Sequence, residues 1–308
     1  MIARRRFVLG LGLSTLLSLA AGCSDADLVG PIVYEEQPAL TREVKDKAHL
    51  ADKPKIQAKV RAALTKLYGP DPREIHVPEG APLVKDENGR VGTLLANHVQ
   101  TAQGPEKIDH AGGYALYRRN CLHCHGVTGA GDGPTAPFVF PLPRDFRQGL
   151  FKFTSTPNGA RPDRDDLRRT IRDGLHGTSM PAFEALLTPA EIEQVVDYVV
   201  FLSLRGETEL ALIEEGFVAD DSDEDALEDD IVQELVQGVF SKWEDAGESV
   251  VDPPSERTAS SPESIVRGRD LFLGRTKEKL ECAGCHGPRG KGDGPSFMDL
   301  KVFNKVVF

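Results

Sequence analysis

Cys121 and Cys124 lie three residues apart with His125 directly after them, and the same arrangement returns at Cys282, Cys285 and His286. Three residues is close to one helical turn, so both thiols of a pair fall on one side of a helix with the imidazole beside them. The chemistry that uses such a trio is covalent attachment of haem. Each thiol adds to one vinyl group, and the histidine becomes a fixed axial ligand of the iron. Two other uses of the thiols compete with this one. A structural zinc site needs two more Cys or His at ligand spacing, and the glycine-rich stretch after each pair offers none. A redox-active disulfide of the thioredoxin kind needs a preceding strand, whereas Tyr114-Ala-Leu-Tyr-Arg-Arg119 reads as helix.

The two copies share their surroundings. Gly126, Gly129, Gly131, Asp132, Gly133 and Pro134 correspond to Gly287, Gly290, Gly292, Asp293, Gly294 and Pro295, and Gly113-x-x-x-Tyr117 precedes the first pair as Gly268-x-x-x-Phe272 precedes the second. This is an internal repeat of one cofactor-binding module. Its iron needs a sixth ligand. Met180, in Gly177-Thr-Ser-Met-Pro181, stands 55 residues after His125 on a loop between two expected helices, and the chain has only three methionines. Thioether coordination favours ferrous iron and raises the potential, which suits an electron carrier. Core packing is the other use of a lone methionine, and His176, His110 and His98 are the fallback ligands.

The first 22 residues explain where haem could be attached. Arg4-Arg5-Arg6 leads into the apolar stretch Phe7 to Ala21 and a small-residue site, the pattern of a bacterial export signal. Ala20-Ala-Gly-Cys23 resembles a lipobox, in which Cys23 becomes the lipidated first residue of the mature protein. That assignment accounts for all five cysteines, one anchor and four thioethers, and leaves none for disulfides. The expected location is the periplasmic side of a bacterial membrane, with a lipid anchor.

The elements that must position these groups are helical. Residues 23–104 read as anchor, spacer and an accessory helix over 55–68, with Ile56, Val60, Leu64 and Leu67 on one face. Residues 105–206 read as a helical domain. Asp163 is the N-cap of a helix stopped by Gly174, and Thr188-Pro-Ala-Glu191 is a capping box opening an apolar helix through Leu202. Eight of the eleven residues from Asp220 to Asp230 are acidic, so 207–262 reads as a solvated acidic linker before a second, incomplete domain at 263–308. The net charge of −11 argues against nucleic acid as a partner.

With these motifs in order, residues 105–206 resemble a class I cytochrome c domain, and the repeat makes the chain similar to a diheme c-type cytochrome. The resemblance implies a mainly α fold and two covalently attached haem c groups, held at Cys121, Cys124 and His125 and at Cys282, Cys285 and His286. It implies that the Pro134 carbonyl accepts a hydrogen bond from the second nitrogen of His125. It also implies that Gly113 lets the first helix cross close to the last, and that Arg144 and Thr178 are candidates for haem propionate contacts.

Only 22 residues follow His286. Either the chain is a piece of a longer protein, or the second haem has an unusual ligand or an open site; Met298 aligns with Pro137 and fits poorly as that ligand. The apolar run Val302 to Phe308 favours a piece. The expected function is single-electron transfer between a quinol-oxidising complex and a terminal oxidase or reductase. The alternative is a diheme peroxidase-like enzyme with an open second haem. No general acid–base pair or substrate pocket is legible, so a carrier or electron-transfer subunit is preferred to an enzyme.

Overall fold

A computed structural model describes residues 33–83, 98–101, 104–107, 112–252 and 256–296. The export signal, Cys23, His110 and Met298 lie outside them. The described elements are helices, apart from one antiparallel hairpin in which β1 (His98–Thr101) pairs with β2 (Gly104–Lys107). The chain divides into two compact units, residues 1–251 and 252–308.

The first unit is built on one long helix, α6 (Pro189–Val218). It starts where the capping box predicts: the Thr188 hydroxyl accepts from the Glu191 amide, the Glu191 carboxylate accepts from the Thr188 amide, and Pro189 fills the first helical position. α3 (Gly113–Asn120) packs against it, and the rings of Tyr114 and Tyr117 lie 5.8 and 5.1 Å from that of Tyr198. Gly113, the first helical residue of α3, is buried. α5 (Arg164–Asp173) also packs on α6 and carries the expected N-cap, with the Asp163 carboxylate accepting from the Asp165 amide at 2.8 Å.

α6 continues 16 residues beyond Leu202, and that extension is buried over Ser203–Glu209 and again at Leu212, Ile213 and Gly216. α1 (Pro38–Thr41) contributes the fully buried Leu40. α2 (Pro54–Tyr68) lays Ile56, Val60, Leu64 and Leu67 inward against α6, the face its periodicity predicts. Gly216 makes room for this: a Cβ there would stand 2.5 Å from the Ile56 side chain. Lys53 donates to the carbonyls of Phe217 and Ala219, both at 2.5 Å, and so closes the end of α6.

The linker expected over 207–262 is corrected over most of its length. Residues up to Val218 belong to α6, and α7 (Asp229–Glu244) packs on that helix with Val232, Val236, Val239, Phe240 and Trp243 buried. The acids occupy the intervening loop and the first turn of α7, where the helix dipole favours them. Beneath them runs an apolar stripe with helical spacing. Lys59 holds the loop by donating to the carbonyls of Asp223, Glu224 and Ala226.

The buried face of α6 also carries charge. Asp197 pairs with Arg164 at 2.5 Å, Glu207 with Arg161, and Glu209 with Arg205 at 3.3 Å. Glu209 also accepts from the Gln37 amide at 2.7 Å, and Arg205 lies over the Tyr34 ring. Glu209→Ala would leave the Arg205 guanidinium buried without its partner. The expected loss is about 3–5 kcal/mol, read as a lowered denaturant midpoint with unchanged slope.

The second unit contains α8 (Pro262–Phe272) and α9 (Ala283–His286). Ser261 and Ser264 cap α8 reciprocally, each hydroxyl accepting from the other's amide. Ten positions separate Phe272 from Cys282, where four separate Tyr117 from Cys121. The repeat therefore keeps its helix and its motif but lengthens the connection between them.

Candidate functional site

The first Cys-x-x-Cys-His sequence bends at Cys121, which ends α3, and then forms the single turn α4 (Leu122–His125). A helix this short has almost no internal hydrogen bonds, so its carbonyls need partners from elsewhere. The glycine loop supplies them in order. The amides of Gly126, Thr135, Gly133 and Gly131 donate to the carbonyls of Leu122, His123, Cys124 and His125, at 2.7, 2.8, 3.1 and 3.0 Å. Gly126, Gly129 and Gly131 all have φ between 75° and 81°, the left-handed region that the tight reversal requires. Gly133 is required for space, since a Cβ there would stand 2.4 Å from the Leu122 carbonyl oxygen and 2.5 Å from that of His123. The repeated glycines are the means of capping one turn of helix that carries two thiols and an imidazole.

The second motif repeats two of these four capping bonds. The Gly292 amide donates to the His286 carbonyl at 2.8 Å and the Gly287 amide to the Ala283 carbonyl at 2.9 Å. Gly287, Gly290 and Gly292 again have positive φ. The carboxylate oxygen of Asp293 stands 1.9 Å from where a Gly287 Cβ would be, as that of Asp132 stands 2.0 Å from a Gly126 Cβ.

His125 is half-buried, with its ring 5.4 Å from the ring of Phe146. Its Nδ1 lies 3.4 Å from the backbone carbonyl of Arg144, whereas the expected partner was the carbonyl of Pro134. The cause is local. Gly133 and Thr135 are committed to capping α4, while the Phe146 amide donates to the Gly129 carbonyl at 3.0 Å and brings residues 144–146 back alongside the imidazole. The Arg144 side chain itself is exposed. The sequence contained Pro141-Leu-Pro-Arg-Asp-Phe146 but drew attention to the arginine, when its carbonyl and the following Phe146 are what touch the histidine. Tyr117 was also missed in this role: its hydroxyl donates to the Gly126 carbonyl at 2.9 Å and ties α3 to the motif.

Burial pushes the Cys121 thiol up to about 12, with Cys124 adding to the effect, and burial also raises Cys124. Protonated thiols of this kind are unlike the depressed-pKa thiolates of redox-active pairs. Among the described residues no group of three or more Cys, His, Asp or Glu is arranged to hold a metal ion. Burial holds the His125 imidazole below its ordinary range, which favours the neutral, ligating form.

Met180 lies on the loop between α5 and α6. Its carbonyl accepts from the Leu175 amide at 3.1 Å, and its amide donates to the Thr178 hydroxyl at 3.1 Å. That hydroxyl also donates to the Leu175 carbonyl at 2.8 Å, so Thr178 shapes the methionine loop. Met180 and Cys121 both pack, partly buried, against the same core cluster. His176 is exposed.

The residues fit a haem on a further observation. The segment 135–144 begins and ends on α4, through the Thr135 amide and the Arg144 carbonyl, and carries Phe138, Phe140 and Leu142 at 85%, 63% and 47% exposure. A loop pinned at both ends to the thiol–imidazole turn, holding large apolar side chains in solvent, suits covering a broad apolar ring.

Fold and site together define a cytochrome c domain. Residues 109–199 match the family described as Cytochrome C oxidase, cbb3-type, subunit III. The chain is 37% identical over 100 residues to the Cbb3-type cytochrome c oxidase subunit CcoP of Azospirillum sp. (strain B510), an alignment covering 31% of each protein. It thus spans about a third of the length of that relative. A chain of the Kuenenia stuttgartiensis reducing HAO-like protein complex shares 27% identity over 60% of this chain and 64% of its own, with a TM-score of 0.37, too low for a shared fold to be read from it.

Proposed function

We propose that this chain is an exported diheme c-type cytochrome, tethered to a bacterial membrane through lipid on Cys23, that passes single electrons between respiratory partners. The observation that carries the reading is the recurrence of a single turn bearing two thiols and an imidazole, followed by a glycine loop that caps it, at residues 121–125 and 282–286. In each module the bound haem would supply reversible one-electron iron chemistry. Cys121 and Cys124, or Cys282 and Cys285, would form the thioethers, and His125 or His286 would be an axial ligand. The Arg144 carbonyl, 3.4 Å from Nδ1, would help orient the His125 ring, and Met180 would supply a thioether ligand to the first iron.

The name of the Azospirillum relative directs the partner toward a cytochrome c oxidase, and the donor we assign is a quinol-oxidising complex. No described helix is long and apolar enough to cross a membrane. The anchor in this reading is lipid on Cys23.

The test is the reduced spectrum of the mature protein with and without carbon monoxide, together with a redox titration. A carrier closed by Met180 gives one-electron couples and no carbon monoxide adduct at the first haem. An adduct there, with peroxide-dependent turnover, would replace the carrier with an enzyme.

A further inference from the structure

Two chains of touching rings leave Phe146, the residue against His125. One runs inward through Tyr117, Tyr198 and Phe201 to Tyr68, which is 0% exposed. The other runs outward. Phe146 stacks on Phe151 at 5.9 Å, and Phe151 meets Trp243 edge-to-face at 6.2 Å. With the 5.4 Å from His125 to Phe146, every step falls within the range of interacting aromatic pairs, about 4.5–7 Å between centroids. Trp243 and Tyr114, which branches from Tyr198 at 5.8 Å, each keep 9% of their surface in solvent, and the path from His125 to Trp243 is the shorter, three ring contacts against four.

The outer end of this chain is held with unusual care. Trp243 is the sole tryptophan, and it sits on α7, beyond the residues that match the cytochrome family. Its indole nitrogen donates to buried Glu207 at 2.7 Å, and Glu207 is itself paired with Arg161. Burying a carboxylate is costly, and here it fixes one ring in one orientation. A leucine in place of the tryptophan could fill the apolar contact but would make no use of the carboxylate.

We propose that Phe146, Phe151 and Trp243 form an aromatic bridge along which an electron tunnels between the haem at His125 and a one-electron partner docked at the Trp243 edge. The proposal rests on the electron-carrier reading above. Iron changes between ferrous and ferric as the partner gains or loses that one electron, and the rings are neither oxidised nor reduced. Tunnelling falls off exponentially with the gaps crossed, and this run of rings in contact keeps each gap short. Trp243 is on this account a positioning residue for electron exit, supported by Glu207.

The test uses the full chain with Cys23→Ser, Cys282→Ala and Cys285→Ala, so that a single haem and no other free thiol remain. A ruthenium tris-bipyridine group is attached at Lys242→Cys, beside Trp243, or at Glu184→Cys as a control; both positions are exposed. After a flash with hexaammineruthenium(III) as quencher, the ruthenium(III) formed takes one electron from ferrous haem. From position 242 the rate should fall several-fold in Trp243→Leu and in Phe151→Leu and recover in Trp243→Phe. From position 184 it should not change, nor should the reduction potential. Trp243 emission from the haem-free chain supplies an independent readout and should stay blue in Phe151→Leu. Unchanged rates from position 242, with haem attached and its potential intact, would overturn the bridge alone. A slowed rate with red-shifted emission would overturn it in favour of simple docking of α7. Absence of covalent haem would overturn the carrier reading and the bridge together.

Discussion

Met180→Ala should leave haem covalently attached and lower the potential of the first haem by on the order of 0.1–0.2 V, a fraction of the ~0.8 V range that axial ligands span. The thioether stabilises ferrous iron, and water or a stray imidazole in its place favours ferric iron. The near-infrared sulfur-to-iron band should vanish, and carbon monoxide should gain access to the reduced iron. His176, nearby on the same loop, is exposed, so a His176→Ala background removes the obvious substitute ligand. A Met180→Ala protein that keeps the sulfur band would remove Met180 from the site. Thr178→Val should give a milder version of the same change, since the Thr178 hydroxyl bridges Leu175 and Met180 and so shapes the loop.

Gly133→Ala should be far more damaging than its size suggests. The added methyl would lie 2.4–2.6 Å from the Leu122 and His123 carbonyl groups, all backbone atoms with no flexible side chain to yield. The loop would have to lift from α4 and release the capping bonds to His123 and Cys124. The expected cost is about 2–3 kcal/mol of stability, with loss of haem incorporation at the first module. Gly294→Ala should do the same to the second module only, where the Gly284 carbonyl oxygen stands 2.2 Å from the added carbon. Gly238→Ala is the contrasting case. It lies inside α7 with nothing within 4 Å, so replacing it should gain roughly 0.5–1 kcal/mol through helix propensity. Thermal melts of the three variants, with haem absorbance recorded in parallel, give the ranking directly. Equal behaviour of Gly133→Ala and Gly238→Ala would contradict the capping account.

The parts of this fold that were legible in the sequence are those with a local cause. Asp163 and Thr188 announced α5 and α6 because an N-cap is specified within four residues, and the stripe on α2 is visible at helical period. The end of α6 was not legible, because Glu207 and Glu209 fell within the stretch read as a solvated acidic linker, whereas both are buried, Glu207 beside Arg161 and Glu209 beside Arg205 and the Gln37 amide. The helix α7 was hidden by the acids before it, although Val232, Val236, Val239, Phe240 and Trp243 carry the period of a buried face. At the site, the thiols and imidazoles were plain from residue type. The hydrogen-bond acceptor for His125 was not, since a backbone carbonyl leaves no mark on composition and only the path of the loop brings Arg144 alongside. The hairpin His98–Lys107 lacks the apolar alternation that marks a strand, and Pro105 lies within it.

The central claim, two haem-bearing modules of one design, is tested most directly by counting covalent haem. A pyridine haemochrome assay and denaturing mass spectrometry of the mature protein should give two haems per chain. Cys121→Ala with Cys124→Ala should leave one, and Cys282→Ala with Cys285→Ala should leave the other. A chain that carries no covalent haem when matured with the export and attachment machinery present, or one that keeps two after either double replacement, would contradict the account.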